Sequence, residues 1–538
     1  MRPKLFFTLL LIVLTDLHAQ TQDAWVYFAD KPMAPTFIES PLMMLSQRAL
    51  DRRERQHISL DFKDVPIEAS YIEQVKAAPG ISVLARSKWL NALHLQGTES
   101  AVKNLLNLSF VASVDFADKT LNANGRQALP RAKPSHLDKW ALHTDLDYGL
   151  ATNQIDMLKG GALHQRGFTG AGIQIAVIDA GFPQVDTHTA FDRMRSKQQL
   201  LGGYDFVNRS HNYFTGNYHG MAVLSTMAGY LEGQFVGTAP DAAYYLFITE
   251  DVNRETPLEE SLWAEAAEKA DSLGVDLINT SLGYATFDDP RYNYSYAAMD
   301  GRTTFISRAA EIAFSRGMLL VNSAGNEGSS TWHYITAPAD AAAVLSIGAV
   351  DASEVVAAFS SFGPTVDARV KPDVCAQGAG TSIINADGNI IGGNGTSFSS
   401  PVLAGVLACL WQAFPQETNA VIGLAVKHSG HLFEYPTDQE GYGIPDFERA
   451  YQALLTQTAD RRTMRLSPNP TNHLLTVSFP DDTDAIEFVI YNLLGQQQRA
   501  GVVTKEQPFI VVNDLVTGLY MVALDMGTKT EVINIVKK

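Results

Sequence analysis

Residues 173–182 read Ile-Gln-Ile-Ala-Val-Ile-Asp-Ala-Gly-Phe, an apolar run that ends in a carboxylate and is followed by a small residue and a glycine. Similar β-branched apolar runs alternate with amphipathic helical segments throughout residues 148–456. This alternation predicts an α/β fold, a parallel doubly wound sheet with helices on both faces. Asp179 would then lie at the carboxyl edge of the sheet, where loops converge and sites are assembled. The predicted strands are 173–178, 244–248, 275–279, 318–322 and 344–350.

Different patterns flank this block in the chain of 538 residues. Residues 20–118 mix short alternating strands with helices, one of them predicted over 40–56, and indicate a small α+β domain. Residues 119–147 are polar and are interrupted by Asn, Gly and Pro, which is typical of a linker or processing region. Residues 464–538 hold only strand-like pieces separated by Pro, Asp, Asn and Gly, which predicts a β-sandwich.

The first segment, residues 1–19, has the pattern of an export signal. Arg2 and Lys4 precede an apolar run from Leu5 to Leu14, and we expect cleavage after Ala19. A retained membrane anchor is the alternative, but about ten apolar residues are short of the roughly 20 that cross a bilayer. We therefore expect no integral membrane span and a location outside the cytoplasm.

Composition excludes several classes of function. Lys and Arg total 41 against 58 Asp and Glu, and the formal net charge of −17 has the wrong sign for coating nucleic-acid phosphates. No nucleic-acid partner is expected. The two cysteines, Cys375 and Cys409, are too few for a disulfide scaffold or a four-ligand zinc site, so both are expected to be small buried residues.

Four segments of the central block carry side chains suited to catalysis. Asp179 ends a strand, and His219 opens a helix, where the dipole disfavours protonation and so suits a general base. Ser397 lies in Gly393-Asn-Gly-Thr-Ser-Phe-Ser-Ser-Pro401, where a hydroxyl at a helix start can be a nucleophile beside backbone N–H groups. Asn326 follows a strand in a tight turn, and its amide can donate to an oxyanion. Singly, each has an ordinary interpretation, respectively a turn Asp, a capping or core His, an N-cap Ser and a turn Asn.

Taken together, these residues resemble the catalytic set of the subtilisin-like serine proteases, and Gly-Thr-Ser397-Phe-Ser-Ser-Pro is the most specific match. The resemblance covers about residues 150–455. It implies that Ser397 is the nucleophile and His219 the general base and later the acid. Asp179 would orient the imidazole, and Asn326 would be the side-chain donor to the oxyanion.

The same resemblance extends to substrate and metal binding. Ser281, Leu282 and Gly283 are similar to the family's strand that pairs with the substrate backbone. No cofactor is required for the chemistry. Calcium sites are common in the family, but the sequence does not locate one, and we name no metal ligand.

Two positions depart from the family pattern, and one segment looks like an insertion. Ala180 stands where Ser or Thr is usual, and Met221-Ala222 stand where Thr-His is usual. Neither change removes an atom of the triad, so they bear on rate and specificity rather than on reaction type. The segment 284–304, rich in Tyr and Asp, either shapes the cleft or decorates the surface, and decoration is the favoured interpretation.

The flanking domains fit the same resemblance. Residues 20–118 are similar in position to the family's propeptide, with cleavage expected near Arg126 or Arg131, and a permanent accessory domain is the alternative. Residues 464–538 begin near Leu466-Ser-Pro-Asn-Pro470 and resemble the sorting domain of the type IX secretion system of gram-negative bacteria. This implies the outer-membrane secretion machinery as a partner and a secreted or cell-surface location, whereas a plain binding module is the alternative.

The sequence thus predicts a secreted serine endopeptidase that acts on proteins or peptides through an acyl-enzyme intermediate. An inactive relative that serves as a surface binding protein is the alternative, disfavoured because every catalytic position carries a competent residue. A lipase is disfavoured because Ser399 stands where its nucleophile elbow needs Gly, and a zinc peptidase because no His-Glu-x-x-His run occurs. Activity should fall as His219 protonates, at roughly pH 6 to 7 for an unperturbed imidazole.

Overall fold

The computed structural model describes residues 20–122, 146–461, 464–480, 483–527 and 530–538. The described residues fall into two compact units, one of residues 20–122 and 146–450 and the other of the described residues from 451 to 538. The predicted export signal and the predicted cleavage positions Arg126 and Arg131 lie outside the described residues.

The N-terminal α+β region is built on one antiparallel sheet. Its elements are β1 (Thr21–Phe28), α1 (Ala34–Glu39), α2 (Gln47–Arg55), α3 (Ala69–Lys76), β2 (Ile81–Ser87), β3 (Ala92–Thr98), α4 (Glu99–Asn104) and β4 (Val111–Phe116). The strand order is β2-β3-β1-β4. The helix predicted over 40–56 is wrong in its first half, where Pro41–Met43 forms a 3-10 turn. The helix begins only at Gln47 because the Ser46 side chain accepts a hydrogen bond from the Ala49 N–H at 3.2 Å and caps it there.

The central block is built on a parallel sheet of seven strands. Its elements are α5 (Thr152–Asp156), α6 (Gly161–Gln165), β5 (Gln174–Asp179), α7 (Asp192–Ser196), β6 (Leu200–Asp205), α8 (His219–Ala228), β7 (Tyr230–Leu231), β8 (Phe235–Val236), β9 (Ala243–Ile248), α9 (Pro257–Leu273), β10 (Leu277–Thr280), α10 (Phe305–Ser315), β11 (Leu319–Ser323), β12 (Val344–Val350), β13 (Val374–Gln377), β14 (Ala379–Ile384), β15 (Ile390–Asn394), α11 (Thr396–Ala413), α12 (Asn419–Ser429) and α13 (Phe447–Arg461). The order β13-β12-β11-β10-β5-β9-β6, with every neighbouring pair parallel, confirms the predicted fold class.

Both faces of this sheet are buried. Ala176 and Ile178 of β5 belong to a hydrophobic core that includes residues of α9 and α10. Ile175 and Val177 are equally buried and, because side chains alternate along a strand, face the other side. There α8 and α11 pack against each other and the sheet, so helices cover it on both sides, as the continuous apolar runs indicated.

The N-terminal region shares its core with the helices α9 and α10. The Trp25 ring stacks on Phe305 at 5.0 Å between ring centroids, and its indole N–H donates to the Ser261 hydroxyl at 2.8 Å. A buried ion network adds to this contact. Its members are Arg52, Arg53 and Asp64 from the N-terminal region and Asp271 and Arg316 from the central block.

The C-terminal unit contains two antiparallel sheets around one core. Its strands are β16 (Arg465–Ser467), β17 (Leu474–Ser478), β18 (Ala485–Asn492), β19 (Gln497–Thr504), β20 (Phe509–Val511), β21 (Gly518–Asp525) and β22 (Thr530–Lys537). The sheet orders are β16-β17-β20 and β19-β18-β21-β22. Leu475 and Ile510 of the first sheet and Ile490, Val522 and Ile535 of the second are fully buried in that common core. This is the predicted β-sandwich.

The structure also bears on the expected membrane span and on the expected burial of the two cysteines. In the described ranges, every helix is too short or too polar to span a bilayer. Cys375 and Cys409 are buried free thiols, as the sequence predicts.

Candidate active site

Asp179 and His219 meet at the carboxyl edge of the sheet. Asp179 is the last residue of β5 and His219 the first of α8. The Asp179 Oδ1 atom lies 2.8 Å from Nδ1 of His219. A side chain at Gly220 would bring a Cβ within 2.4 Å of the Gly181 carbonyl oxygen, so glycine is what allows the helix start to approach the strand end. Because a carboxylate only accepts, Nδ1 is the donor, and Nε2 of the neutral ring is left as a base.

This pairing sets the protonation of the imidazole. The Asp179 charge raises the pKa of His219. The hydrogen bond that His219 donates to Asp179 and the nearby Glu250 carboxylate act in the same direction, whereas burial lowers this pKa. The imidazole keeps about a third (34%) of its surface exposed. The assumption of an unperturbed imidazole is therefore wrong, and the loss of activity is expected at a higher pH than the sequence suggested.

Ser397 is presented by the first turn of α11. The helix begins at Thr396 and its N-cap position is Gly395, so the ordinary interpretation of Ser397 as an N-cap is wrong. The Ser397 hydroxyl donates to the Ser281 carbonyl at 3.4 Å, and no hydrogen bond to His219 is found within the described residues. The next residue, Phe398, has its ring centroid 5.8 Å from that of His219. The first turn of α11 therefore comes close to the imidazole through Phe398, while the Ser397 hydroxyl is hydrogen-bonded to the Ser281 carbonyl.

Asn326 is held in one orientation by the residue before Ser397. Its Oδ1 atom accepts hydrogen bonds from the Thr396 backbone N–H at 2.8 Å and from the Thr396 hydroxyl at 3.0 Å. Since a backbone N–H can only donate, the side-chain atom of Asn326 that it contacts must be the oxygen, and the other must be the nitrogen. The Nδ2 hydrogens have no partner among the described side chains and are available to an incoming acceptor.

The predicted substrate strand divides into a supporting part and an exposed part. Ser281 is buried, and its hydroxyl donates to the Ser397 carbonyl at 2.9 Å. The Leu282 carbonyl accepts from Asn322 Nδ2 at 3.0 Å. Gly283 is exposed, and its backbone groups have no partner in the described part of the chain. Free backbone hydrogen-bonding groups are therefore presented at Gly283.

Sequence reasoning missed one carboxylate at this edge. Glu250 lies two residues after the end of β9, whereas Asp179 is the last residue of β5. The Glu250 carboxylate accepts from the Tyr284 hydroxyl at 2.8 Å and from the Thr249 hydroxyl at 2.7 Å. Burial raises the pKa of Glu250 to about 8. Its position after a predicted strand was the signal that could have identified it.

The segment 284–304 is not surface decoration. Tyr284 and Tyr292 are buried, and the Tyr294 hydroxyl donates to Glu260 at 2.7 Å. The Tyr292 hydroxyl accepts from the Asp23 N–H at 3.2 Å and so links the segment to the N-terminal region. Its aromatic residues build core, which is why the favoured interpretation is wrong.

Metal binding stays an expectation. Among the residues that the structure describes, no group of three or more His, Cys, Asp or Glu side chains could hold a metal ion. Calcium sites built from backbone carbonyls remain a prediction.

Known families match the three parts of the chain. A model described as a peptidase S8 propeptide domain of Bacteroidota matches residues 23–134. A model described as the subtilase family matches residues 170–472, more than half of the chain. A model described as a secretion system C-terminal sorting domain matches residues 465–538. The sorting domain indicates a secreted or cell-surface protein and implies the secretion machinery as a partner, as the sequence predicts.

Curated relatives agree with the central match. Subtilisin NAT of Bacillus subtilis subsp. natto is 31% identical over 272 residues, which are 50% of this chain and 63% of that protein. Subtilisin of Bacillus pumilus is 30% identical over 272 residues, 50% of this chain and 87% of that protein. Subtilisin BL of Lederbergia lenta is 28% identical over 297 residues, 55% of this chain and 97% of that protein. This chain thus spans 63% of subtilisin NAT but most of the other two, and it belongs to the subtilase family.

Proposed function

We propose that the protein is a secreted serine endopeptidase that hydrolyses peptide bonds through an acyl-enzyme, with Asp179, His219 and Ser397 as its triad. The observation that carries this proposal is the carboxylate–imidazole hydrogen bond of 2.8 Å beside the helix turn that bears Ser397. An unactivated hydroxyl is a poor nucleophile, so a base must remove its proton as it attacks. A His219 ring whose Nδ1 is engaged by a carboxylate has Nε2 free for this role.

The proposed reaction has two steps. The Ser397 oxygen attacks the peptide carbonyl carbon while its proton passes to His219 Nε2, and the Asp179 carboxylate stabilises the imidazolium that results. The tetrahedral oxyanion is stabilised by Asn326 Nδ2 and the Ser397 backbone N–H. His219 then protonates the leaving amine, and water hydrolyses the acyl-enzyme with the same imidazole as base.

The anchoring of Asn326 supports the oxyanion role. Donors contribute most when they already face the position where charge develops, because no reorganisation is then needed during the reaction. Two hydrogen bonds from Thr396 fix the amide before any substrate arrives. The residue that orients the oxyanion donor thus directly precedes the nucleophile.

The N-terminal region is proposed to act as a removable propeptide. The match to a propeptide family and the polar linker after residue 118 support this role. Intact mass and N-terminal sequencing of the secreted protein would establish whether residues 20–118 are removed.

A fluorophosphonate probe that labels activated serines tests the proposed chemistry. We expect the secreted wild-type protein to be labelled and the Ser397→Ala variant to lose the label completely. Ser399→Ala is the matched control, because Ser399 lies in the same helix but its hydroxyl donates to the Thr396 carbonyl at 3.0 Å.

The control variant should be labelled like the wild type. An unlabelled wild-type protein that also cleaves no peptide would favour the surface binding protein instead. Labelling that persists in Ser397→Ala would assign the nucleophile to another residue.

A further inference from the structure

The helix α2 of the N-terminal region docks at the edge of the central sheet that lies opposite the proposed cleft. Its Arg48 side chain donates to the carbonyls of Gly172 and Gly274, at 2.9 and 3.0 Å. The Gln56 side chain, which follows α2, donates to the Gly317 carbonyl at 2.8 Å. These glycines stand two or three residues before the starts of β5, β10 and β11. Since β5 has six residues, this edge lies roughly 20 Å from the edge that carries the proposed triad.

The contacts of α2 with the central block are charged and buried. Arg52 is fully buried, and its guanidinium donates to the Asp271 carboxylate and to the Val275 carbonyl. Arg53 donates to both oxygens of Asp271, at 2.9 and 3.0 Å. Arginines that are fully desolvated at an interface are among the side chains that contribute most to binding. The remote edge of the sheet is therefore a strong point of attachment for the N-terminal region.

A second contact connects the antiparallel sheet of the N-terminal region to α9. Trp25 and Trp89 belong to the hydrophobic core that includes residues of α9 and α10. The Glu268 carboxylate of α9 accepts from the backbone N–H groups of Lys88 and Trp89, both at 3.0 Å, and from the Ser87 hydroxyl at 2.6 Å. Buried tryptophans, like buried arginines, contribute strongly to binding. Neither contact uses a residue of the proposed triad.

We propose that the N-terminal region stays bound to the central block after the linker is cut, as a non-covalent subunit of the active protein. This inference rests on the proposed function, in which residues 20–118 are cleaved from the chain. Cutting the linker removes only the tether, which keeps the two parts at a high local concentration, and leaves both contacts in place. Because α2 is attached at the edge opposite the cleft, a peptide can enter the cleft while α2 remains docked.

A protein that cannot cut itself tests the retention. The recognition site of an added sequence-specific protease is placed within residues 119–147 of the full-length Ser397→Ala chain. After complete cutting, the N-terminal fragment should co-elute with the rest of the chain in equimolar amounts on size-exclusion chromatography at physiological salt. A dilution series of the cut protein then gives the dissociation constant.

Arg52→Ala in the same background tests the contact at the remote edge. The hydrogen bonds of the Arg52 side chain run to the central block, so this variant removes docking contacts rather than contacts within the N-terminal region. The dissociation constant should rise by about 30-fold or more, the effect of truncating one partner of a buried charge pair. Glu54→Ala, an exposed position on the same helix, is the matched control and should leave it unchanged.

A second variant keeps the test decisive if Arg52→Ala does not fold. The Gln56 side chain donates to the Gly317 carbonyl and accepts from the Asn419 N–H at 3.1 Å. Gln56→Ala removes these neutral hydrogen bonds without leaving a buried charge unpaired. It should raise the dissociation constant by about three- to tenfold.

The outcomes separate this inference from the proposed function. In the secreted wild-type protein, the peak that the serine probe labels and that cleaves peptides should contain both fragments. An active peak that lacks the N-terminal fragment or holds only the uncut chain overturns the inference alone, as does separation of the cut Ser397→Ala fragments. A wild-type protein that is neither labelled nor active overturns the proposed function, and with it a subunit of an active protein, even if the cut Ser397→Ala fragments co-elute.

Discussion

Two groups of buried carboxylates in this molecule differ in how their oxygens are paired. Between the N-terminal region and the central block, Asp271 accepts from Arg52 and Arg53, and Asp64 accepts from Arg53 and Arg316. All four oxygens of these two aspartates have partners. At the cleft, Asp179 Oδ1 is hydrogen-bonded, but Oδ2 is buried without a partner in the described residues.

This difference in pairing distinguishes buried carboxylates that stabilise the fold from the carboxylate that is proposed to take part in the reaction. Removing one partner of a buried ion pair is costly because the other charge stays buried and unpaired. A buried polar group without a partner is tolerated where function requires it. Substitutions in the interface network should therefore lower the stability of the protein, and substitutions at the cleft should lower its activity.

The largest effect is expected for His219→Ala. In subtilisin, a relative of this protein, loss of the histidine or the serine of the triad lowers kcat by about 10⁶-fold. Steady-state hydrolysis should show a loss of this size while thermal unfolding remains unchanged. A lowered unfolding temperature of this variant would contradict the expectation that substitutions at the cleft affect activity and not stability.

Asp271→Ala should have the next largest effect, on stability. Two buried guanidinium groups would lose their shared carboxylate, and breaking such a pair costs about 3–5 kcal/mol. Urea unfolding of the full-length chain in a Ser397→Ala background measures the change without self-digestion. Glu54→Ala, an exposed position on α2, is the control and should stay within about 0.5 kcal/mol of its parent. An equally small change for Asp271→Ala would contradict the role assigned to the network.

Asn326→Leu should lower kcat by about 100- to 1000-fold, the effect of losing one oxyanion donor in subtilisin. Because the donor acts on charge that develops in the transition state, KM should change little. Steady-state kinetics distinguish the two parameters. A loss confined to KM would instead assign Asn326 to ground-state binding of the substrate.

The smallest effect concerns pH. His219 acts as a base only when neutral, and its raised pKa means that kcat/KM should fall with decreasing pH at a midpoint above the 6.5 of a free imidazole. Burial raises the pKa of Glu250 to about 8, and the negative charge of its carboxylate favours the imidazolium. Glu250→Gln should therefore move the midpoint downward, by less than one pH unit. An upward movement would contradict this coupling.

Much of the architecture could be predicted from local patterns. The five predicted strands match β5, β9, β10, β11 and β12, because buried parallel strands are continuous apolar runs. Strand β6 was missed because its sequence contains Gly202-Gly203, and β13 because it has only four residues and follows Pro372. Neighbouring strands stabilise both, and a sequence pattern does not reveal such neighbours.

The candidate site also combines features that a sequence pattern reveals with features that depend on distant contacts. Asp179 ends a strand, His219 begins a helix and Asn326 lies in the turn after β11, so their type and position pointed to one edge of the sheet. The pairing of Asn326 with the backbone N–H of Thr396, 70 positions later in the chain, has no such signal. No periodicity or motif marks a contact of that kind.

One pair of hydrogen bonds joins the predicted substrate strand to the first turn of α11. The Ser281 hydroxyl donates to the Ser397 carbonyl, and the Ser397 hydroxyl donates to the Ser281 carbonyl, at 2.9 and 3.4 Å respectively. The two serines are thus joined by two reciprocal hydrogen bonds, and the longer one is donated by the hydroxyl that is proposed to attack the substrate. In the proposed reaction the Ser397 hydroxyl must leave the Ser281 carbonyl and turn to His219 before it attacks, so the longer of the two hydrogen bonds is the one that catalysis has to break.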